Sequence, residues 1–379
     1  MINVFQPSLG TEELAAVSEV FESGWLGHGP RTKAFEAAFA EHLGVQPEGV
    51  IFLNSCTAGL FISTELLDLG EDDEVVLPSV SFVAAANAVA ATGARPVFCD
   101  VDPRTLNPRR SDVESAITDR TKAVLLLHYG GYPGEITEIA EMCRERGIPL
   151  IEDSACAVAS SVDGRVAGSF GDMAMWSFDA MKILSTGDGG MLHVRDPELA
   201  RRARRLAYHG LEQSSGFAKA RVSHRWWELD VRDFARRVIG NDLTAAIGQV
   251  QLRRMPEFVQ RRKEIVDCYD AELADVDGLV LPPPLPAGHE SSYYFYWVQM
   301  AASIRDQVAA DLYEAGVYTT FRYPPLHRVP AYGAPAELEL PGVDHASDTT
   351  LCLPLHQGLD DSEVREVVTQ VRKAVESRS

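Results

Sequence analysis

Lys182 is the residue whose type and setting point most directly to chemistry. It follows Asp172-Met173-Ala174-Met175-Trp176-Ser177-Phe178, which reads as a short buried strand. It precedes the glycine-rich turn Ser185-Thr186-Gly187-Asp188-Gly189-Gly190, after which Met191-Leu192-His193-Val194 reads as a returning strand. Packing between two core strands has no use for an ammonium. The lysine on the connecting loop therefore either faces solvent or is aimed inward by the turn. An inward amine suits a Schiff base, whose nitrogen must be held against a carbonyl carbon and lose its proton readily.

Other chemistry-bearing residues fall at the ends of apolar runs. Asp153 closes Pro149-Leu150-Ile151-Glu152-Asp153, where a carboxylate is poorly hydrated unless a cation meets it. The cation is either a structural ion-pair partner or a protonated ring nitrogen, and an acid on such a nitrogen makes the ring an electron sink. Ser55 and Thr57 stand between the strand Val50-Ile51-Phe52-Leu53 and a helix start. There they serve as helix caps or, with free N–H groups, as a phosphate cradle. Phe82, after Pro78-Ser79-Val80-Ser81, either stacks on a flat ring or packs in the core. Ser177 precedes Lys182 by five positions and can reach the same phosphate from the other side.

The elements that must hold these residues are legible as an alternation. Short apolar strands at 50–53, 74–77, 95–101, 123–129 and 149–153 alternate with helical stretches, which predicts a mainly parallel sheet with helices on both faces. In such sheets ligands gather at the carboxyl ends of the strands, where the candidates lie. A first helix is expected after Gly10, capped by Thr11 and showing Leu14, Val17, Val20 and Phe21 on its apolar face. The turn Gly24-Trp25-Leu26-Gly27-His28-Gly29-Pro30 breaks it and either lines a pocket or plugs the core edge. Residues 213–225 read as a polar loop, and a long helix runs from Thr244 to Leu273. Beyond the rigid Leu281-Pro282-Pro283-Pro284-Leu285-Pro286 connector a smaller α+β domain is expected, with a strand over 293–300, a helix near 305–315 and a closing helix over 362–375. The expected fold class is thus α/β, a large domain over 1–248 and a linking helix with the small domain over 249–379.

Composition limits the function classes. The chain has 379 residues, 46% hydrophobic and 24% charged, enough for a large core and for two domains. A formal net charge of −20 argues against nucleic acid and anionic membranes as partners. The start, Met1-Ile2-Asn3-Val4-Phe5, has no signal-peptide pattern, and no run is apolar and long enough for a bilayer. Six cysteines without metal-ligand spacing are expected to be reduced, with no metal bound, in a cytoplasmic protein.

Five segments occur in one order: Asn54-Ser55-Cys56-Thr57-Ala58, Pro78 to Phe82, Pro96 to Val101, Ile151-Glu152-Asp153, and Ser177-Phe178-x-x-x-Lys182 with Gly187 to Gly190. Together they resemble the DegT/DnrJ/StrS sugar aminotransferases, pyridoxal 5'-phosphate enzymes of fold type I, over nearly the whole chain. The resemblance implies that Lys182 is the Schiff-base lysine and proton carrier, that Asp153 pairs with the pyridine nitrogen, and that Phe82 stacks on the ring. It assigns the phosphate to Ser55, Thr57, Ala58 and Ser177, completed by a residue of a neighbouring subunit in an obligate homodimer. That residue aligns with Arg237, with Arg236 as the alternative. Cys156 stands where the family commonly has Gln, beside the cofactor, so that contact is weakened to a poor donor.

The activity implied moves an amino group from L-glutamate, through the pyridoxamine 5'-phosphate form, to the keto group of a nucleotide-linked deoxysugar, foremost a TDP-4-keto-6-deoxyhexose aminated at C4. Trp25, Leu26, Arg322 and His327 are the candidate substrate contacts; Arg322 and His327 either face a diphosphate or lie on the small-domain surface. The alternatives are a keto-cyclitol or aminobenzoate-precursor enzyme, a PLP-dependent sugar dehydratase, and a non-catalytic PLP-binding regulator. Family dehydratases carry His where Lys182 stands, and an intact Lys182, Asp153 and Ser177 disfavour the regulator.

Overall fold

The computed structural model describes residues 1–212 and 229–378; the 213–225 loop therefore lies outside the described residues. A seven-stranded sheet forms the centre of the large domain. Its strands are β1 (Val50–Leu53), β2 (Glu74–Pro78), β3 (Arg95–Cys99), β4 (Thr121–Leu127), β5 (Leu150–Asp153), β8 (Met173–Ser177) and β9 (Gly190–Val194). Two short strands, β6 (Ser161–Val162) and β7 (Arg165–Val166), form a three-stranded ribbon with β10 (His289–Glu290). The spatial order is β1-β9-β8-β5-β4-β2-β3, and β9 alone runs against its neighbours. Every residue of β1, β2 and β5 is buried, as expected for strands covered on both faces.

Helices α1 (Thr11–Ser23), α2 (Pro30–Leu43), α3 (Cys56–Leu66), α4 (Val83–Ala90), α5 (Arg110–Ala116), α6 (Ile136–Arg146) and α7 (Pro197–Ala207) pack around this sheet. The first differs from expectation at its start. Gly10 is the N-cap and Thr11 the first helical residue, while Glu13 reaches back to accept the Gly10 N–H at 2.8 Å. Of the anticipated apolar face, Val20 is buried, whereas Leu14 and Phe21 remain 70% and 63% exposed. Helix α2 has no capping side chain of its own. Asp242 supplies the cap from across the chain, accepting the Arg31 and Thr32 N–H groups at 3.2 and 2.9 Å.

Asp242 opens α8 (Asp242–Leu273), capped by Asn241, whose side chain accepts the Thr244 N–H at 3.1 Å. At roughly 1.5 Å per residue this helix is about 48 Å long. It joins two cores: Ala245 and Phe258 pack with the large sheet, and Ile265, Tyr269 and Leu273 with the small domain. The small core combines β11 (Tyr296–Gln299) and β12 (Thr350–Leu353), an antiparallel pair, with α9 (Ala302–Glu314) and α11 (Asp361–Glu376); α10 (Pro341–Thr349) leads into β12. The strand expected over 293–300 is confined to Tyr296–Gln299, because Tyr293 takes a left-handed φ of 49° and Tyr294 bonds to Gly130 instead of a strand. No helix among the described residues is long and apolar enough to cross a membrane.

Candidate active site

The register of the sheet brings the predicted residues to one edge. Gly190 pairs with Leu53 on one side and Ser177 on the other, so the ends of β1 and β8 lie level. Asp153 pairs with Met175 and Leu127 in the same region. This is the carboxyl end of the parallel strands.

Lys182 hangs from the β8–β9 loop. Its N–H donates to Asp179 O at 2.9 Å, and the loop is closed by Thr186 N–H to Phe178 O and Phe178 N–H to Gly189 O, each 2.9 Å. The half-buried side chain turns inward, placing Nζ 3.9 Å from Cys156 Sγ and 4.5 Å from the centre of the Tyr294 ring. Burial works against the ammonium, but its nearness to Cys156, Tyr294 and Tyr323 prevails and raises the amine well above the ordinary lysine value. Cys156 is itself 1% exposed, and burial pushes its thiol up.

Asp153 is 3% exposed, and Ala155 N–H donates to its Oδ1 at 3.1 Å. It forms no ion pair among the described residues. Burial raises its carboxyl above the ordinary range, opposed by Ala155 N–H, Lys182 and His128. The next residue back behaves oppositely. Glu152 accepts His128 Nε2–H at 2.9 Å and Gly168 N–H at 2.7 Å, and these donors outweigh burial to hold it below the usual carboxylate value. Glu152 is thus compensated by its own chain, and Asp153 is left with one amide donor and no ion-pair partner among the described residues.

At the end of β1, Ser55 acts as the N-cap of α3, accepting the Ala58 N–H at 3.1 Å. The Ser55 hydroxyl and the Ala58 amide are therefore engaged with each other. Thr57 is exposed, and its hydroxyl makes no hydrogen bond among the described residues. Gly190 lies against this helix start: a Cβ there would stand 2.4 Å from Cys56 N and 2.5 Å from Ser55 C. Ser177 Oγ accepts the Asp179 N–H at a long 3.4 Å. Phe82, at the N-cap of α4, is 48% exposed, with its ring centre 5.6 Å from that of Tyr323.

The substrate candidates divide. Arg322 lies at the Lys182 pocket, its guanidinium 5.0 Å from the Phe5 ring centre and 3.6 Å from Met181 Sδ, with no carboxylate partner among the described residues. His327 is tied down by Ser79, whose Oγ lies 2.7 Å from Nδ1 and accepts the His327 N–H at 3.2 Å. Trp25, Leu26 and Arg237 instead line a separate cavity of about 1230 Å³, with Lys33 and Tyr208, to which Lys182 does not contribute. Its volume exceeds what a small ligand needs, and its lining sets Lys33 among Glu36, Glu48, Glu198 and Glu212 but includes neither Lys182 nor Asp153. Arg236 pairs with Glu65 of its own chain, whereas the exposed Arg237 faces the Tyr208 ring at 5.9 Å and has no carboxylate partner among the described residues.

Sequence reasoning missed Tyr294, Tyr323, His128 and Arg262. His128 carried a signal, since like Asp153 it is a polar residue closing an apolar strand. The tyrosines carried none, because they reach the site from segments more than a hundred residues further along the chain and pack against the core of the central sheet. Arg262 is fully buried in α8; its Nη1 donates to Tyr293 O at 3.0 Å and Leu355 O at 3.1 Å, its Nε to Gln357 Oε1 at 2.9 Å, and burial lowers it to about 10. Gln357 in turn donates to Ile183 O at 3.2 Å, tying the small domain to the Lys182 loop.

These residues fit a flat, cationic, phosphorylated aldehyde cofactor: an inward amine, a buried acid without a cation, an uncovered phenyl face and an open helix start. No group of three or more metal-ligating side chains is present among the described residues. The family model described as DegT/DnrJ/EryC1/StrS aminotransferase matches residues 7–372. The chain is 65% identical over 376 residues to a dTDP-4-dehydro-2,3,6-trideoxy-D-glucose 4-aminotransferase of Saccharopolyspora spinosa, covering 99% of this chain and 97% of that one. The crystal structure of the aminotransferase TlmJ from Streptoalloteichus hindustanus superposes with a TM-score of 0.95 at 64% identity, over all of both chains. Spr1654 of Streptococcus pneumoniae, in its PMP form, gives 0.91 at 27% identity over 99% of each chain. With its motifs in order, its fold matched throughout and its lysine and acid meeting at one sheet edge, this chain belongs to the DegT/DnrJ/EryC1/StrS aminotransferase family.

Proposed function

We propose that this enzyme transfers an amino group from L-glutamate to C4 of a dTDP-linked 4-keto-6-deoxyhexose, with pyridoxal 5'-phosphate as cofactor. The choice of sugar is supported by the 65% identity to the Saccharopolyspora spinosa 4-aminotransferase, whose substrate lacks the 2- and 3-hydroxyls. The observation that carries the chemistry is the inward Lys182 amine beside a buried Asp153 that has no cationic partner. When bound, the cofactor supplies an electron sink that acidifies the carbon bearing the amine.

The chain's own residues do the rest. Asp153 would hold a protonated ring nitrogen of the cofactor, and its burial would make that pairing strong. Phe82 covers one ring face. Thr57 and the first amides of α3 receive the phosphate, while Ser177 faces it from β8. Lys182 Nζ would hold the proton that moves during the transfer. Arg322, free of carboxylates, offers a guanidinium to an anionic group of either substrate.

A homodimer with shared sites accords with this chain's own surface. Leu14 and Phe21 of α1 are uncovered, and the exposed Arg237 lines a cavity apart from its own Lys182, as expected of a residue serving a partner's phosphate site. A cytoplasmic location follows from the nucleotide-sugar substrate proposed.

The test is spectroscopic. Purified protein with pyridoxal 5'-phosphate is expected to show the visible absorbance of the lysine-bound cofactor. L-glutamate should convert it to the pyridoxamine form, and Lys182→Ala should lack the starting band. Offering the aminated enzyme dTDP-4-keto and dTDP-3-keto sugars should restore the band with the 4-keto compound. Restoration by the 3-keto isomer or by a keto-cyclitol alone would reject the substrate assignment.

A further inference from the structure

Lys182 has a seat that the assignments above leave unused. Its Nζ lies 4.5 Å from the centre of the Tyr294 ring, within range of the ring's negative face. Tyr294 is 1% exposed, so the ring and the amine meet away from solvent. The ring is also fixed in place. Phe5 stacks on it at 5.5 Å and 20°, Gly130 O accepts its N–H at 2.9 Å, and Arg262 holds the flanking Tyr293 carbonyl. The lysine must come to the ring, because the ring cannot follow the lysine.

We propose that Tyr294 is a positioning residue for the transfer, its ring face seating the Lys182 ammonium whenever the amine is not covalently engaged. The inference rests on Lys182 being the Schiff-base lysine. The groups that face the amine are Asp153, Cys56, Cys156 and Tyr323, with Arg322 beyond the tyrosines. Burial pushes the Cys56 and Cys156 thiols and both phenols up, so they are neutral near pH 7. The Tyr294 π face is then in range of the ammonium, which makes no ion pair with Asp153. Once Asp153 is committed to a ring nitrogen, the π face remains. It holds the charge less tightly than a contacting carboxylate would, and so leaves the proton available for transfer.

The decisive measurement is the pH dependence of Lys182 modification by an amine-reactive reagent in the full-length, cofactor-free protein, followed on the Lys182 peptide by mass spectrometry. Tyr294→Leu removes the ring, and the midpoint is expected to fall by about half to one and a half pH units. Tyr294→Phe keeps the ring but loses the phenol, and should lower the midpoint by less than Tyr294→Leu does. A series of progressively fluorinated phenylalanines at 294 preserves shape while draining the ring face, and should lower the midpoint in steps. That series decides the matter even if the leucine variant fails to fold. In the holoenzyme, the variants with a weakened face should lose kcat while the KM for L-glutamate stays near wild type. A Lys182 midpoint indifferent to fluorination would overturn the proposal. Because this titration uses neither cofactor nor sugar, it fails independently of the substrate assignment.

Discussion

At the scale of single residues, the contrast between Glu152 and Asp153 organises the site. Adjacent acids on one strand point to opposite faces. One is met by His128 and two backbone amides, the other by a single amide. A carboxyl raised in the folded state binds its proton more tightly there than when unfolded. Stability is therefore lost as pH rises from the ordinary carboxylate value through the raised one. Asp153→Asn should accordingly raise the Tm of the cofactor-free protein by about 2 °C at pH 7–8, with the gain shrinking toward pH 4. The same change should lower kcat by about a hundredfold or more. A thermal melt and a steady-state assay across pH check both signs. Cys156 permits a second prediction. It is fully buried and close to Lys182, so Cys156→Ser should keep turnover within about tenfold of wild type, whereas Cys156→Gln must insert a larger side chain at a cost of about 1–3 kcal/mol. A broad gain in turnover for the glutamine variant would overturn that expectation. The strand-end residues were legible from sequence because a polar side chain closing an apolar run stands out; Tyr294 and Tyr323 were not, since nothing local marks a residue that arrives from a distant segment of the chain.

At the scale of elements, the junction of β9 with the start of α3 shapes the proposed phosphate site. Ser55 caps the helix, and Gly190 lets the returning strand pass against the Ser55–Cys56 backbone. Because the obstructing atoms are backbone, they cannot swing aside. Gly190→Ala should therefore cost about 1–3 kcal/mol and displace the first amides of α3. Ser55→Ala should cost about 1 kcal/mol through the lost cap. Fluorescence titration with pyridoxal 5'-phosphate separates the two, with the larger loss of affinity expected for Gly190→Ala. The glycine-rich turn before β9 was evident in the sequence. That Gly190 is needed for an approach to α3, and not for a turn, follows from the pairing of β9 with β1.

At the scale of the whole molecule, Arg237 and Lys182 of one chain occupy different pockets, and the proposed dimer would bring each to the other's partner. Mixing Lys182→Ala with Arg237→Ala subunits should then create hybrid dimers in which one site has both an intact lysine and an intact arginine. Activity is expected to rise above that of either parent; activity no greater than the sum of the parents would reject a shared phosphate site. The sequence by itself determined the alternation of strands and helices, the sheet edge at which ligands gather, and the loop that bears Lys182, because each is written in local periodicity and in turn residues. Tertiary structure decided which of those residues share a pocket. It separated Trp25, Leu26 and Arg237 from Lys182, bound His327 to Ser79, and brought Tyr294 under the amine. The physical reason is that strand order and domain packing are set by which buried faces fit together across the chain, and no neighbouring residue in the sequence records that fit.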